Sequence, residues 1–412
     1  MQTANPDYYF QSDAANANRA RKAAKSGNKN GNPISMKSKI LAAIPDPADP
    51  AGSIFIAESA GFCRRINLES AQTKTTYKGP KAPVTCLSIG GTSNKTLYAG
   101  SWDKDIWSWD LDTAQPGRKF SGHSDFVKTV ICGTLSGNPI LISGGADKKI
   151  IVWDAKSGRR IHTLQDPATT MLAVQHLAVD PVLSEADSLV LVSASSDPSI
   201  RRWRVSLASA EQLPEAYHGR PDAERLTVQE HETSVYRLVF DMEAGSDADL
   251  WTASADGTAK CLARARSFEA EDSLAHGDYV RAVVVTPRWA VTAGRDEDVK
   301  VWDRASGALY ATLAGHFEEI TDLVLLSPGG GAAEQQQQSS SAAARVCSVS
   351  IDGTIRTWPL AQAALDETVR KIKEDADRAA AGKTEEVTKD EDAGAGVLTA
   401  EEEAELAELM DD

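Results

Sequence analysis

Self-similarity along the chain limits its fold more than any other feature. Residues 122–154, GHSDFVKTVICGTLSGNPILISGGADKKIIVWD, hold three short runs rich in β-branched residues at 126–132, 140–143 and 150–153. Turn residues at 137–139 and 144–147 divide them, so the stretch reads as an antiparallel meander. His123 precedes the first run, Ser143 lies on the second, Asp147 in the next turn and Trp153 on the third. A tight turn at that spacing brings hydroxyl, carboxylate and indole N–H together, with the imidazole reaching them from the preceding loop.

The pattern recurs. Asp103 has Trp109 six residues on, Asp197 has Ser193 and Trp203, Asp296 has Thr292 and Trp302, and Asp352 has Ser348 and Trp358. Asp256 keeps Thr252 but has Leu262 where the Trp belongs. His231, His276 and His316 precede Val235, Val280 and Ile320 by four, as His123 precedes Val127. Successive turn aspartates lie 44, 50, 59, 40 and 56 residues apart. Most of these approach the roughly 40 to 45 residue period of a four-stranded propeller blade, with loop insertions supplying the excess.

On these residues and this register, residues 38–360 resemble the WD-repeat (WD40) β-propeller family. The resemblance implies an all-β, seven-bladed propeller. Blade 1 takes residues 39–44, 53–58, 62–68 and 74–77, with Gly61 near the turn Asp position and Arg65 near the Trp position. Blade 2 runs from Val84 through Trp109 to Phe120, with Pro80 in the His place and Ala99 in the Ser place; blade 3 ends with 161–164. Blade 4 starts at Val174, has Thr170 for the His, and carries an insertion of about twenty residues between its third strand (200–205) and residues 226–228. Blades 5, 6 and 7 start at Val235, Val280 and Ile320. Blade 7 holds the tract 329–344, GGGAAEQQQQSSSAAA, a surface insertion on composition, since doubling a loop costs only about 0.6 kcal/mol.

After Leu360 the chain turns Ala-rich and charged, so blade 7 has no fourth strand following it. An open propeller would expose strand edges, and the resemblance implies that the N-terminal segment, residues 1–37, closes the ring. Tyr8 to Phe10 is the preferred closing run; the residues just before Lys37 are the other candidate. Segment 1–37 is basic, polar and mostly flexible, with a short Ala-rich helix expected over 12–25.

The net charge of −15 is uneven: residues 361–412 hold seventeen acids against six bases, and residues 1–37 six bases against two acids. The body is acidic as well, so no direct binding of nucleic acid is expected. No run of eighteen apolar residues and no apolar leader appear, which predicts an intracellular protein, cytoplasmic or nuclear, with no membrane contact. The five cysteines lack any CxxC pairing and read as buried thiols.

Ser143, His123 and Asp147 have the composition of a nucleophilic triad. The set recurs in blade 6 (His276, Thr292, Asp296, Trp302) and blade 7 (His316, Ser348, Asp352, Trp358). Structural bonding that repeats with the fold accounts for three copies; one active site does not. No phosphate-binding Gly loop, HExxH, CxxC pair or GxSxG is present, so no catalytic residue, metal or cofactor is assigned.

What remains is binding. The resemblance implies that each blade's first strand lines the channel, with the residue after its opening Val or Ile at the mouth. In this sequence that position holds Thr85, Lys128, Gln175, Tyr236, Arg281 and Thr321. Lys128 and Arg281 with Tyr236 suit an acidic or phosphorylated peptide segment. A second docking element is the end of the tail. Thr399 and Glu402 make a capping box there, and Leu398, Leu406, Leu409 and Met410 share a stripe that docks either on a partner or on the propeller. The expected function is a non-catalytic scaffold for protein–protein interaction, a monomeric propeller within a hetero-complex. One alternative is a substrate receptor of a cullin-type ubiquitin ligase; such propellers carry WDxR after the third strand, whereas here Trp153-Asp154-Ala155-Lys156 and Trp302-Asp303-Arg304 depart from it. A propeller enzyme is the remaining alternative and rests on fold analogy alone.

Overall fold

The computed structural model describes residues 13–166, 170–326 and 344–393. Among them are seven four-stranded antiparallel sheets. In six the strands are hydrogen-bonded in chain order, each turn of the repeat folding directly into a hairpin. The first strands are Ile40–Pro45, Val84–Gly90, Val127–Leu135, Val174–Val179, Val235–Phe240, Val280–Val285 and Ile320–Leu326. Each neighbours the next around a closed ring, the last packing on the first. The fold is thus a seven-bladed β-propeller with few helices.

Its core is divided between blade boundaries. Leu135, Ile142 and Val152 of blade 3 interleave with Val174, Leu191 and Trp203 of blade 4. Phe55 and Tyr77 of blade 1 meet Leu97 and Trp109 of blade 2. The second strands are buried on both faces, as the residues Ser53–Glu58 and Trp289–Gly294 illustrate, because a blade is covered on either side by a neighbour. All five cysteines are free thiols; four are buried and Cys132 is half-buried.

The ring closes through residues just before Lys37. Ile34 and Ser35 pair with Ile355 and Thr354 as the outer strand of blade 7. Tyr8 to Phe10, the preferred candidate, lies outside the described residues. The closing strand has only two paired residues, and side chains supplement it. Arg356, buried at 1% exposure, donates to Asn28 Oδ1 (2.8 Å) and to the Asn30 carbonyl. Thr357 N–H donates to the Gly31 carbonyl at 2.8 Å. Gly31 has φ +68°, and a Cβ there would sit 2.8 Å from the Trp358 ring, so both its backbone angle and its packing require glycine. Upstream, helix α1 (Asp13–Ser26) matches the expected Ala-rich helix to within a residue. Arg21 and Lys25 bind Glu297, and Lys22 binds Glu318.

Blade 4 departs from expectation. Its outer strand is Ala210–Leu213, returning at once after a turn closed by Ser206 and Ser209. The extra residues form a two-stranded hairpin, Glu215–Tyr217 with Arg220–Arg225, and residues 226–228 contribute only an isolated bridge from Val228 to Ile200. The insertion therefore interrupts the outer strand; it does not separate the third strand from the fourth. Of the blade 7 tract 329–344, only Ala344 lies within the described residues.

The chain divides into two compact units, residues 1–365 and 366–412. Helix α2 spans Gln362–Ala393, and pairs such as Lys371 with Glu367 (2.6 Å) support it at helical spacing. Leu398, Leu406, Leu409 and Met410 lie outside the described residues. No helix among the described residues is long and apolar enough to cross a membrane.

Candidate functional site

Blade 3 brings its four recurring side chains together. Asp147 Oδ1 lies 2.9 Å from His123 Nδ1, His123 Nε2 lies 2.8 Å from Ser143 Oγ, and Trp153 Nε1 donates to that Oγ at 2.9 Å. Burial would raise the Asp147 pKa, but the His123 bond and the Ser124 N–H outweigh it and hold the carboxyl below its ordinary value. Blade 7 repeats the chain, with His316 bridging Asp352 (2.9 Å) and Ser348 (2.8 Å) and Trp358 donating to Ser348 (2.9 Å). In blade 6 the imidazole is turned over: Nδ1 faces Thr292 (2.8 Å) and Nε2 faces Asp296 (2.9 Å), with Trp302 on Thr292 at 2.7 Å. Ser143, Thr292 and Ser348 are fully buried, so their hydroxyls are sealed beneath the indoles that bond them. The arrangement links the loop entering a blade to its second and third strands.

The other blades keep the place and change the chemistry. In blade 5 His231 bridges Asp256 and Thr252, each at 2.7 Å, and Thr252 donates to the Lys260 carbonyl, while Leu262 supplies no indole N–H to the hydroxyl. In blade 4 a buried arginine stands in for the missing histidine. Arg201 donates from Nε to Asp166 (2.8 Å) and from Nη1 to Asp197 (3.0 Å), while Trp203 bonds Ser193 at 2.9 Å. In blade 2 the expected link from Asp103 to Trp109 is absent. Trp107 donates to Asp103 (2.8 Å), and Trp109, with Ala99 offering no hydroxyl, donates to the Lys78 carbonyl (2.9 Å). Blade 1 uses Glu58 with Arg64 (2.6 Å) and Ser38 (2.7 Å).

The channel mouth is built by another repeated device. All seven first strands change register at the residue after the opening Val or Ile, for example between Val127 and Thr129 or between Val280 and Ala282. Such a bulge re-aims one side chain. The bulged residues include Thr85, Lys128, Gln175, Tyr236, Arg281 and Thr321, and all six line one cavity of ≈ 400 Å³. Their states differ. Thr85 donates to the Val127 carbonyl (2.5 Å) and Thr321 to the Ile40 carbonyl (3.0 Å), so these hydroxyls fasten neighbouring blades. Arg281 lies over the Tyr236 ring at 4.2 Å and pairs with Glu319 at 3.1 Å. Lys128 donates to the neutral Gln175 Oε1 at 2.9 Å and makes no ion pair among the described residues. Burial, and then the Arg281 charge, lower its pKa. Arg237 and Asp322, which also line the cavity, pair at 3.2 Å. Burial, with Arg237 nearby, holds His176 well below its ordinary pKa.

Two wall residues escaped the sequence reading. Trp102 and Phe126 stack at 4.9 Å with planes 15° apart, and are 45% and 37% exposed. Trp102 directly precedes the turn aspartate Asp103, where blades 3, 4 and 5 have Ala146, Ser196 and Ala255. Blades 6 and 7 have Arg295 and Ile351 there, so an aromatic ring at this place was the available signal. Among the described residues no group of three His, Cys, Asp or Glu is placed to hold a metal ion.

Comparison with known proteins agrees with this architecture. Residues 71–110 and 114–154 match the family model described as WD domain, G-beta repeat. A WD repeat-containing protein of Schizosaccharomyces pombe is 32% identical over 424 residues, covering all of both chains. Nuclear distribution protein PAC1 of Arthroderma otae is 27% identical over 277 residues, 65% of this chain and 57% of that one. Nuclear distribution protein nudF of Aspergillus niger is 27% identical over 316 residues, 72% of this chain and 63% of that one.

Proposed function

The chain belongs to the WD-repeat family, and from that premise we propose that it is a non-catalytic scaffold whose channel mouth receives an acidic or phosphorylated segment of a partner protein. The observation that carries this reading is Lys128. A half-buried ammonium facing a cavity, beside a second cation and with only a neutral amide as partner, is an electrostatic cost that an incoming anion relieves. Arg281 adds a fork suited to carboxylate or phosphate, and Tyr236 gives that cavity an amphipathic wall. Lys128 thus places a cation with no ion-pair partner among the described residues in the mouth of a body whose acids outnumber its bases.

The recurring Ser-His-Asp sets support no catalytic reading, since a substrate has no route to hydroxyls buried beneath indoles. Nor is a ligase receptor favoured: Arg304, the nearest match to the WDxR arginine, donates to Asp241 (2.5 Å) and the Thr286 carbonyl (2.7 Å). The test uses the full chain and fluorescein-labelled ten-residue peptides carrying central phosphoserine, glutamate or serine. Phosphoserine and glutamate peptides are expected to bind more tightly than serine peptides, and K128E/R281E to erase the difference at unchanged melting temperature. Equal binding of all three peptides, or an anion preference that survives K128E/R281E, overturns the reading.

A further inference from the structure

We infer that the segment received at the mouth is extended and carries an apolar side chain two or three residues from its anion, the apolar group lying against the Trp102–Phe126 stack and the anion against Lys128 and Arg281. The inference rests on the proposed function and specifies what that site selects.

Three observations carry it. First, the stack is not required by the fold. A propeller blade closes equally well with Ala or Ser at these positions, as Ala146, Ser196 and Ala255 show for the first and Ala173 and Ser234 for the second. Two large rings left 45% and 37% exposed and pressed face to face keep in water apolar surface that a ligand would cover. Second, both rings line the cavity that holds the cations. The comparable residue of blade 6, Tyr279, is 42% exposed but already has the Arg295 guanidinium over its face at 5.1 Å. Third, the spacing suits an extended chain. Phe126 and Lys128 are separated by one residue where the chain enters the first strand of blade 3. Side chains at i and i+2 on one face of an extended bound segment stand about 7 Å apart, a reach suited to neighbouring groups of one cavity wall. The cations and the stack are thus matched by an apolar residue and an acid of one ligand strand, with Tyr236 and Arg281 extending the anion's contact.

The probes are degenerate peptide libraries with phosphoserine, glutamate or serine fixed at the centre and the flanking positions randomised, offered to the full chain. Wild type should enrich Leu, Phe or Trp two or three positions from the fixed anion. W102A/F126A should abolish that enrichment, keep the anion preference, and weaken the best selected peptide about tenfold or more, the loss usual for an aromatic anchor. K128E/R281E should lose both preferences. Anion preference with no apolar enrichment, or enrichment untouched by W102A/F126A, overturns this inference and leaves the proposed function standing; loss of anion preference in wild type overturns both. Concentration-dependent dimerisation in sedimentation velocity that W102A/F126A removes would assign the stack to a second copy of the chain and overturn the inference.

Discussion

Each repeated side chain is placed by the bond it completes. A hydroxyl such as Ser143 Oγ meets an imidazole on one side and an indole on the other, and removing it leaves two buried groups without that partner. Leaving buried partners unsatisfied costs about 1 to 3 kcal/mol. Ser143→Ala is therefore expected to lower the unfolding free energy by an amount in that range, read as a lower urea midpoint at an unchanged m-value. The comparison built into the chain is blade 2, where Ala99 is native and Trp109 has another acceptor. A midpoint within error of wild type would mean that the Ser143 bonds add nothing net. In blade 4 the guanidinium of Arg201 takes the imidazole's place and is met by two carboxylates, Asp166 and Asp197.

At the scale of elements, the strands that the repeat predicts are those the structure contains, because turn chemistry and the alternation of buried side chains are local. Blade 1 is an example: residues 53–58, expected as a strand, are the strand Ser53–Glu58. Two elements were less legible for a physical reason. The outer strand of blade 4 has few core residues of its own, and the closing strand is two residues long, too short for any periodicity. Tertiary edges decide such strands. The six mouth positions were legible as a register, since every first strand repeats its bulge, whereas the Trp102–Phe126 stack forms across a blade boundary that no single repeat displays. The closing segment makes a definite prediction. Gly31→Ala must fit a methyl 2.8 Å from Trp358 at positive φ, and should cost more than about 1 kcal/mol in chemical denaturation. An effect of a few tenths would mean that the segment adjusts freely and is not held against blade 7.

For the molecule as a whole, stability should depend on pH in two windows. His176 and His316 are buried and have pKa values below 6.5, the first beside Arg237 and the second between Asp352 and Arg356. The unfolded chain therefore takes up those protons first, and stability falls as pH drops below about 6.5. The carboxyls of Asp147, Asp256, Asp296 and Asp352 are held below 3.8; their contribution is intact above that value and is lost as pH falls further. Denaturation midpoints measured from pH 7.5 to 3 should decline first near 6.5 and again below 4. A flat profile between 7.5 and 5 would contradict the histidine assignment.

The closure of blade 7 also bears on how the protein is made. Asn28 leaves the ribosome 328 residues ahead of its partner Arg356. Over that interval blades 1 to 6 emerge one after another while the N-terminal segment has no blade 7 to pair with, so a chain stalled before residue 320 presents unpaired β edges at both ends of its incomplete ring.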